Sequence, residues 1–107
     1  LNDLGILYLH SLEGLPGSFL HTPHPERITP YMRQAFRNAL IVNGGYTPEV
    51  AAQAISAKEC DLVAFGVPFL ANPDFVARVC RGAPLNPPDM ATLYSPGPKG
   101  YTDYPTL

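Results

Sequence analysis

Three observations predict an α/β fold with a parallel sheet. Apolar runs of strand length alternate with segments of helical spacing. The runs are apolar throughout, as strands covered on both faces are. Two of them end at glycine and lead within a few residues to a proline-led helix start. The first is Ala39-Leu40-Ile41-Val42-Asn43-Gly44-Gly45, then Thr47-Pro48-Glu49. The second is Asp61-Leu62-Val63-Ala64-Phe65-Gly66, then Asn72-Pro73-Asp74. A glycine turn between strand and helix leaves the backbone open to an anion. The helix N-terminus adds donors and a positive dipole end. Two such units in succession point to a phosphorylated ligand.

Each element has its own signal. Leu4 to His10 is a continuous apolar run and reads as a strand buried on both faces. Ser11 to Thr29, rich in Gly, Pro and His, reads as a long loop. Thr29 as N-cap and Pro30 at the first position open a helix. Tyr31, Ala35 and Phe36 form its predicted apolar face, Arg33 and Arg37 point outward, and Asn38 is the expected C-terminal cap. Leu40 to Val42 is the second strand. Thr47-Pro48-Glu49 starts the next helix, with Val50, Ala51, Ala54 and Ile55 at helical spacing. Leu62 to Phe65 is the third strand. A third helix starts at Asn72-Pro73-Asp74, turns Phe75, Val76 and Val79 inward, and stops at Gly82. Pro87-Pro88-Asp89 opens a short helix ending near Tyr94, and Ser95 to Leu107 is an extended tail.

Three parallel strands are few for a free-standing sheet. A closed (β/α) barrel needs eight strands and typically ~250 residues, against 107 here. The chain is either a small open sheet or part of something larger, and the uncapped start, with neither an initiator Met nor a basic leader, reads as entry partway through a helix or its end and favours the second. The net charge of -2, without any Lys/Arg run, argues against a nucleic-acid surface. No apolar stretch is long enough to span a membrane. Cys60 and Cys80 lack metal spacing and read as reduced structural thiols of an intracellular, cytoplasmic protein.

Five segments carry a family resemblance in order: Ile41 to Thr47, Asp61 to Gly66, Phe69 to Asp74, Gly82 to Asn86 (Gly-Ala-Pro-Leu-Asn), and Gly100 to Thr106 (Gly-Tyr-Thr-Asp-Tyr-Pro-Thr). With this spacing the chain resembles the C-terminal part of the old yellow enzyme family, the FMN-dependent ene-reductases. Tyr8-Leu9-His10 is similar to that family's sixth barrel strand, so the resemblance covers nearly the whole chain. It implies that residues 1–107 form the C-terminal portion of one FMN-binding TIM-barrel domain. The strands would be the sixth to eighth of a (β/α)8 barrel, and residues 95–107 a tail.

The resemblance also implies the chemistry. A nicotinamide cofactor, NADPH or NADH, reduces FMN, and the flavin reduces an activated alkene whose oxygen is held by a His/His or His/Asn pair. In the family that pair, the proton-donating Tyr and the flavin-tuning Thr all come from the N-terminal barrel half. This chain would hold the phosphate end, and no catalytic residue is assigned within it. By resemblance, backbone donors at Asn43, Gly44, Gly45, Gly66 and Val67 cradle the FMN phosphate, as expected after the last two strands of a TIM barrel. Tyr101 aligns with a family Tyr near flavin and substrate. At the position after Gly66 the family usually has Arg, and this chain has Val67. The implied partners are an activated alkene and the missing N-terminal barrel half. The alternative reading is a non-catalytic flavin- or phosphate-binding remnant, or a half-barrel that requires a partner.

Each of these residues also has a plainer reading. Gly44, Gly45 and Gly66 are explained equally as turn glycines with positive φ. Tyr101 serves as an amphipathic anchor for the tail, and Tyr104 as packing. His10 reads as a structural histidine, although it stands at the catalytic end of a strand. His21, His24 and Glu26 are close enough in sequence to suit a metal, yet nothing completes a site, and no metal is assigned. Asp61 precedes a strand, and Asp74 lies where a helix dipole favours it. Phe19 sits in the loop that would overhang an active site.

Overall fold

A computed structural model describes residues 1–21 and 26–107. The chain divides into two compact units, Leu1–Phe65 and Gly66–Leu107.

The first unit is a three-stranded parallel sheet with two helices. The order is β1 (Tyr8–Leu12), α1 (Thr29–Ala35), β2 (Ala39–Asn43), α2 (Pro48–Ser56) and β3 (Leu62–Val63). β2 lies between β1 and β3, with Leu9 opposite Leu40, Ser11 opposite Val42, and Val42 opposite Val63. The parallel pairing predicted from strand–helix alternation is therefore present.

Strand β1 corrects the expected Leu4–His10 run. Asn2–Leu4 forms a short 3-10 turn ended by the left-handed Gly5, and the strand begins at Tyr8. Its residues alternate rather than being buried on both faces: Leu9 and Ser11 are half-buried, whereas Tyr8, His10 and Leu12 are exposed. The period-2 geometry of a strand puts these two sets on opposite sides. Leu40, Val42, Tyr46, Ala51, Ala54 and Cys60 form the core, with Leu9, Leu15, Met32, Val63 and Phe65 packed against it. The opposite side of the sheet, carrying Tyr8, Leu12 and Leu62 at 52–65% exposure, has no layer over it among the described residues of this unit.

Helix α1 departs from expectation at both ends. Ile28, not Thr29, is its N-cap, so Pro30 is the second helical residue rather than the predicted first. Thr29 is buried within the helix. Its C-cap is Phe36, and Asn38 instead donates its amide to the Ile6 carbonyl at 2.7 Å. Phe36 is buried, but Tyr31 and Ala35 face solvent, and Met32 makes the core contact. Helix α2 starts as predicted: the Thr47 hydroxyl accepts from the Val50 N–H at 3.3 Å, and Pro48 follows. Only the small Ala51 and Ala54 turn fully inward, while Val50 and Ile55 are exposed. Strand β3 is shorter than the predicted Leu62–Phe65, although Ala64 still donates to Val42 at 2.8 Å.

The second unit holds α3 (Val67–Ala71) and α4 (Phe75–Arg81). Helix α3 was not legible as a helix in the apolar Val67–Ala71 stretch. Helix α4 ends at the predicted Gly82, whose φ is +62°. Its inward residues are Phe75 and Arg78, while Val76 and Val79 are exposed. Residues 90–94 form successive turns rather than the expected short helix.

Arg78 replaces the predicted apolar contact with polar ones. Its side chain is 5% exposed and donates to Asp74 Oδ1 at 2.7 Å, Pro84 O at 2.7 Å and Pro105 O at 2.9 Å. Asp74 Oδ2 accepts from the Leu107 N–H at 2.7 Å, so the last residues are fastened to α4. The Asp74 carboxyl is held below its ordinary value by the Arg78 hydrogen bond first and the Leu107 N–H second. Asn72 and Asn86 lock the segment between them: Asn72 Oδ1 accepts from the Asn86 N–H at 2.7 Å, and Asn86 Nδ2 donates to Ala71 and Pro105 carbonyls.

Candidate functional site: two glycine turns

The residues predicted to bind phosphate fall into two turns, one in each unit. Asn43, Gly44 and Gly45 end β2 in the first. Gly66 and Val67 open α3 in the second.

In the first turn the chain itself demands glycine. Gly44 has φ +131° and Gly45 φ +87°, conformations that L side chains rarely adopt. A Cβ on Gly44 would also lie less than 3.0 Å from the Glu13 carbonyl and the Gly14 Cα. A Cβ on Gly45 would meet Ser18 Cβ at 2.6 Å. The segment after β1 therefore runs directly against the turn. Two hydrogen bonds fasten it there: Glu13 N–H to Asn43 O at 2.9 Å and Leu15 N–H to Gly44 O at 2.7 Å. Asn43 Nδ2 donates to Ala64 O at 3.0 Å, which ties the same strand end to the chain beyond β3.

Glu13 also organises the far end of this segment. Its carboxylate accepts from the Ile28 N–H, the Thr29 N–H at 3.1 Å and the Thr29 hydroxyl. Arg27 Nε lies 3.7 Å from Glu13 Oε2, Arg27 Nη1 lies 3.5 Å from Glu59, and Arg27 Nη2 donates to Tyr46 Oη at 3.0 Å. Burial pushes the Glu13 carboxyl up. The hydrogen bonds from Thr29 and Ile28, with Arg27 nearby, outweigh it and leave the group below its ordinary value. Burial raises the Tyr46 phenol, against the pull of Arg27. Burial first, then Glu59 and Asp61, raises the Cys60 thiol, in keeping with an inert structural cysteine.

In the second turn no positive φ or backbone clash among the described residues demands glycine. Gly66 has φ −90° and ψ −82°, so the expected positive φ is absent. It is exposed, and among the described residues only Tyr94 Oη comes within 4 Å of where its Cβ would be, at 3.7 Å. The first N–H groups of α3 have no intrahelical acceptor, and Pro68 removes one of them. Val67 contributes backbone but no charge.

Tyr94 was not singled out from sequence. Its φ of +56° is an outlier for a bulky residue, and its hydroxyl stands beside the open side of Gly66. Tyr101 sits in the turn at 98–102, where its N–H donates to Pro98 O at 3.0 Å; it is 39% exposed. The Tyr104 hydroxyl accepts from the Asp89 N–H at 2.7 Å.

The remaining candidates have local partners. His10 is exposed on the uncovered side of the sheet. His21 Nδ1 lies 3.2 Å from Gly14 O, and Glu26 accepts from the Tyr31 hydroxyl at 2.9 Å. His24 falls outside the described residues, among which no His, Cys, Asp and Glu group is arranged to hold a metal ion. Asp61 Oδ2 accepts from Leu40 N–H at 2.8 Å and from Arg33 Nη1, which stabilises its ionised form. Phe19 is 67% exposed. No helix of the described residues is long and apolar enough to cross a membrane.

Comparison with known proteins agrees with the order of these elements. The sequence model of the NADH:flavin oxidoreductase / NADH oxidase family matches residues 16–86. The chain is 44% identical to a putative 12-oxophytodienoate reductase 10 of Oryza sativa subsp. japonica, over 100% of this chain and 36% of the relative. It is 45% identical to a probable flavin mononucleotide-dependent alkene reductase of Leishmania infantum, over 72% of this chain and 21% of that protein. The solved old yellow enzyme homologue from Zymomonas mobilis superposes with a TM-score of 0.90 at 37% identity, over 98% of this chain and 30% of the other. The chain thus spans about a third or less of the proteins it matches.

Proposed function

Since the chain belongs to the NADH:flavin oxidoreductase / NADH oxidase family, we propose that it is the C-terminal portion, strands six to eight, of an FMN-dependent ene-reductase barrel. Its part is to bind the flavin phosphate. FMN, when bound, supplies the hydride transfer by which NADPH or NADH reduces an activated alkene. This chain's residues bind and orient; the groups that hold the alkene oxygen and donate the proton are assigned to the missing N-terminal half. Residues 95–107 are proposed as the tail of that domain, and Tyr101 as a substrate-side residue.

The observation that carries the binding role is Gly66. An exposed glycine with negative φ and room beside it opens a helix whose first N–H groups have no intrahelical acceptor. Its missing side chain leaves room for an anion to approach the backbone. The residues present fit an anion through backbone donors, with no side-chain charge at Val67. In the first unit the backbone of Asn43, Gly44 and Gly45 is proposed separately as a phosphate contact.

The uncovered side of the sheet favours a second reading beside this one, a half-barrel that requires a partner. Tyr8, Leu12 and Leu62 are apolar and exposed there, and an unpartnered apolar sheet face marks an interface. One titration addresses both readings. FMN is added to the chain alone and to the chain mixed with a matching N-terminal barrel half from a relative. A flavin spectrum and thermal stabilisation with the chain alone support binding; both appearing only in the mixture support the partner requirement. Colourless protein without stabilisation in both refutes flavin binding. The chain alone is expected to show no turnover of an unsaturated ketone, and measured turnover would overturn that division of labour.

A further inference from the structure

We propose that Glu13 is a positioning residue for the Gly44–Gly45 turn, acting through both ends of the segment that begins with it. This rests on the reading of that turn as a phosphate contact.

Three observations converge on Glu13. Its backbone borders the turn: its N–H bonds Asn43 O at 2.9 Å, and its carbonyl stands where a Gly44 Cβ would be. Two residues on, the Leu15 N–H holds Gly44 O at 2.7 Å. Its side chain, 21% exposed, takes three donors from Ile28 and Thr29, fifteen and sixteen residues away. These N–H groups lie at the start of α1, where no intrahelical acceptor exists, so Glu13 replaces the local cap that Ile28 cannot provide. A third link runs through Arg27, 3.7 Å from the Glu13 carboxylate, to the hydroxyl of Tyr46, the residue after Gly45.

One carboxylate thus closes the ends of a long loop, and the residues on either side of the closure bond the strand end and Tyr46. Every donor aimed at the carboxylate is an N–H or O–H, so it must accept only. Glutamine at this position would present an NH2 group to one of those donors. Releasing the closure frees Leu15 and Ser18 to move away from Gly44 and Gly45, and the turn loses the contacts that hold it left-handed.

The test uses Glu13→Gln and the pair Thr29→Val and Thr29→Ser in the 107-residue chain. Amide hydrogen exchange is followed by mass spectrometry, and FMN affinity is measured well below the melting temperature. Glu13→Gln is expected to speed exchange at Leu15 and Ile28 about tenfold, to leave α4 unchanged, and to weaken FMN binding by a similar factor. Thr29→Val should shift both readings the same way to a smaller extent, and Thr29→Ser should restore them. Wild-type exchange at Leu15 and Ile28 in Glu13→Gln overturns the proposal. So does faster exchange throughout the first unit with FMN affinity retained, which is the mark of a merely structural residue. If Glu13→Gln does not fold, the Thr29 pair decides: equal behaviour of valine and serine overturns it. If the wild-type chain takes up no FMN, the flavin reading fails by itself, and the Leu15 and Ile28 exchange rates still test the positioning role.

Discussion

Gly44 and Gly66 both follow a parallel strand and precede a helix, yet the chain treats them differently. Gly44 has a left-handed backbone and is pressed by Glu13 and Gly14, so its conformation and surroundings each exclude a side chain. Gly66 has a negative φ, and a Cβ there would meet, among the described residues, only the Tyr94 hydroxyl at an ordinary 3.7 Å. A strand-end glycine can thus be required by the fold or tolerate a side chain sterically. Only the surroundings of the missing Cβ distinguish the two cases.

The sharpest way to break this comparison is to put alanine at both positions. Gly44→Ala should cost about 3 kcal/mol or more, from a strained φ together with overpacking against backbone that cannot rotate away. Gly66→Ala should fold within about 1 kcal/mol of wild type, with its loss confined to FMN affinity. Urea denaturation and flavin titration of the two variants measure these effects. Equal destabilisation would remove the distinction.

The next effect contrasts the units that carry the turns. The first is held by an apolar core, and the second carries buried polar networks at Arg78 and at Asn72 with Asn86. Arg78→Met should destabilise the second unit by about 2–3 kcal/mol through lost charge-assisted hydrogen bonds to the Pro84 and Pro105 carbonyls. Proteolysis should then cut the released tail first. An unchanged cleavage pattern would show that other contacts hold it.

Val67→Arg sharpens the ligand side of the comparison. If the Gly66–Val67 turn faces the flavin phosphate, a guanidinium there should tighten FMN binding about tenfold. That gain should vanish at high salt only in part, since a bound phosphate shields the pair. No change would indicate that the turn does not meet the phosphate.

A smaller effect compares how two helices end. Both α2 and α4 close with the same double hydrogen bond: Lys58 to Ile55 and Glu59 to Ala54 in one, Gly82 to Val79 and Ala83 to Arg78 in the other. The left-handed residue is Lys58, with φ +60°, in the first case and Gly82 in the second. Lys58→Gly should therefore stabilise the first unit by about 1 kcal/mol, read as a raised melting temperature. The folded Asp74 carboxyl titrates below its unfolded value, so its contribution is complete above the unfolded value and lost as pH falls through the folded one. Proteolytic release of the tail on acidification should follow that direction, and Asp74→Asn should abolish the dependence.

Much of the fold was readable because it depends on local chemistry. Thr47-Pro48 capped α2, Gly82 ended α4, and alternating strands and helices implied a parallel sheet. The errors arose where distant residues compete. Thr29 has the chemistry of an N-cap, but Glu13 supplies the acceptor instead and draws Thr29 into the helix. Val76 and Val79 fit an apolar face, yet Arg78 is buried because two carbonyls and Asp74 satisfy its guanidinium. Tyr94 could not be found, since nothing in Thr92-Leu93-Tyr94-Ser95 signals a left-handed tyrosine.

The sequence by itself determined the strand–helix alternation, the glycine positions and the family, because these rest on residue type and spacing along the chain. Only the tertiary structure decided which glycine leaves no room for a side chain. That depends on which backbone lies within a few ångströms of an absent Cβ, and the neighbours of Gly44 are Glu13 and Gly14, thirty or more residues away in sequence.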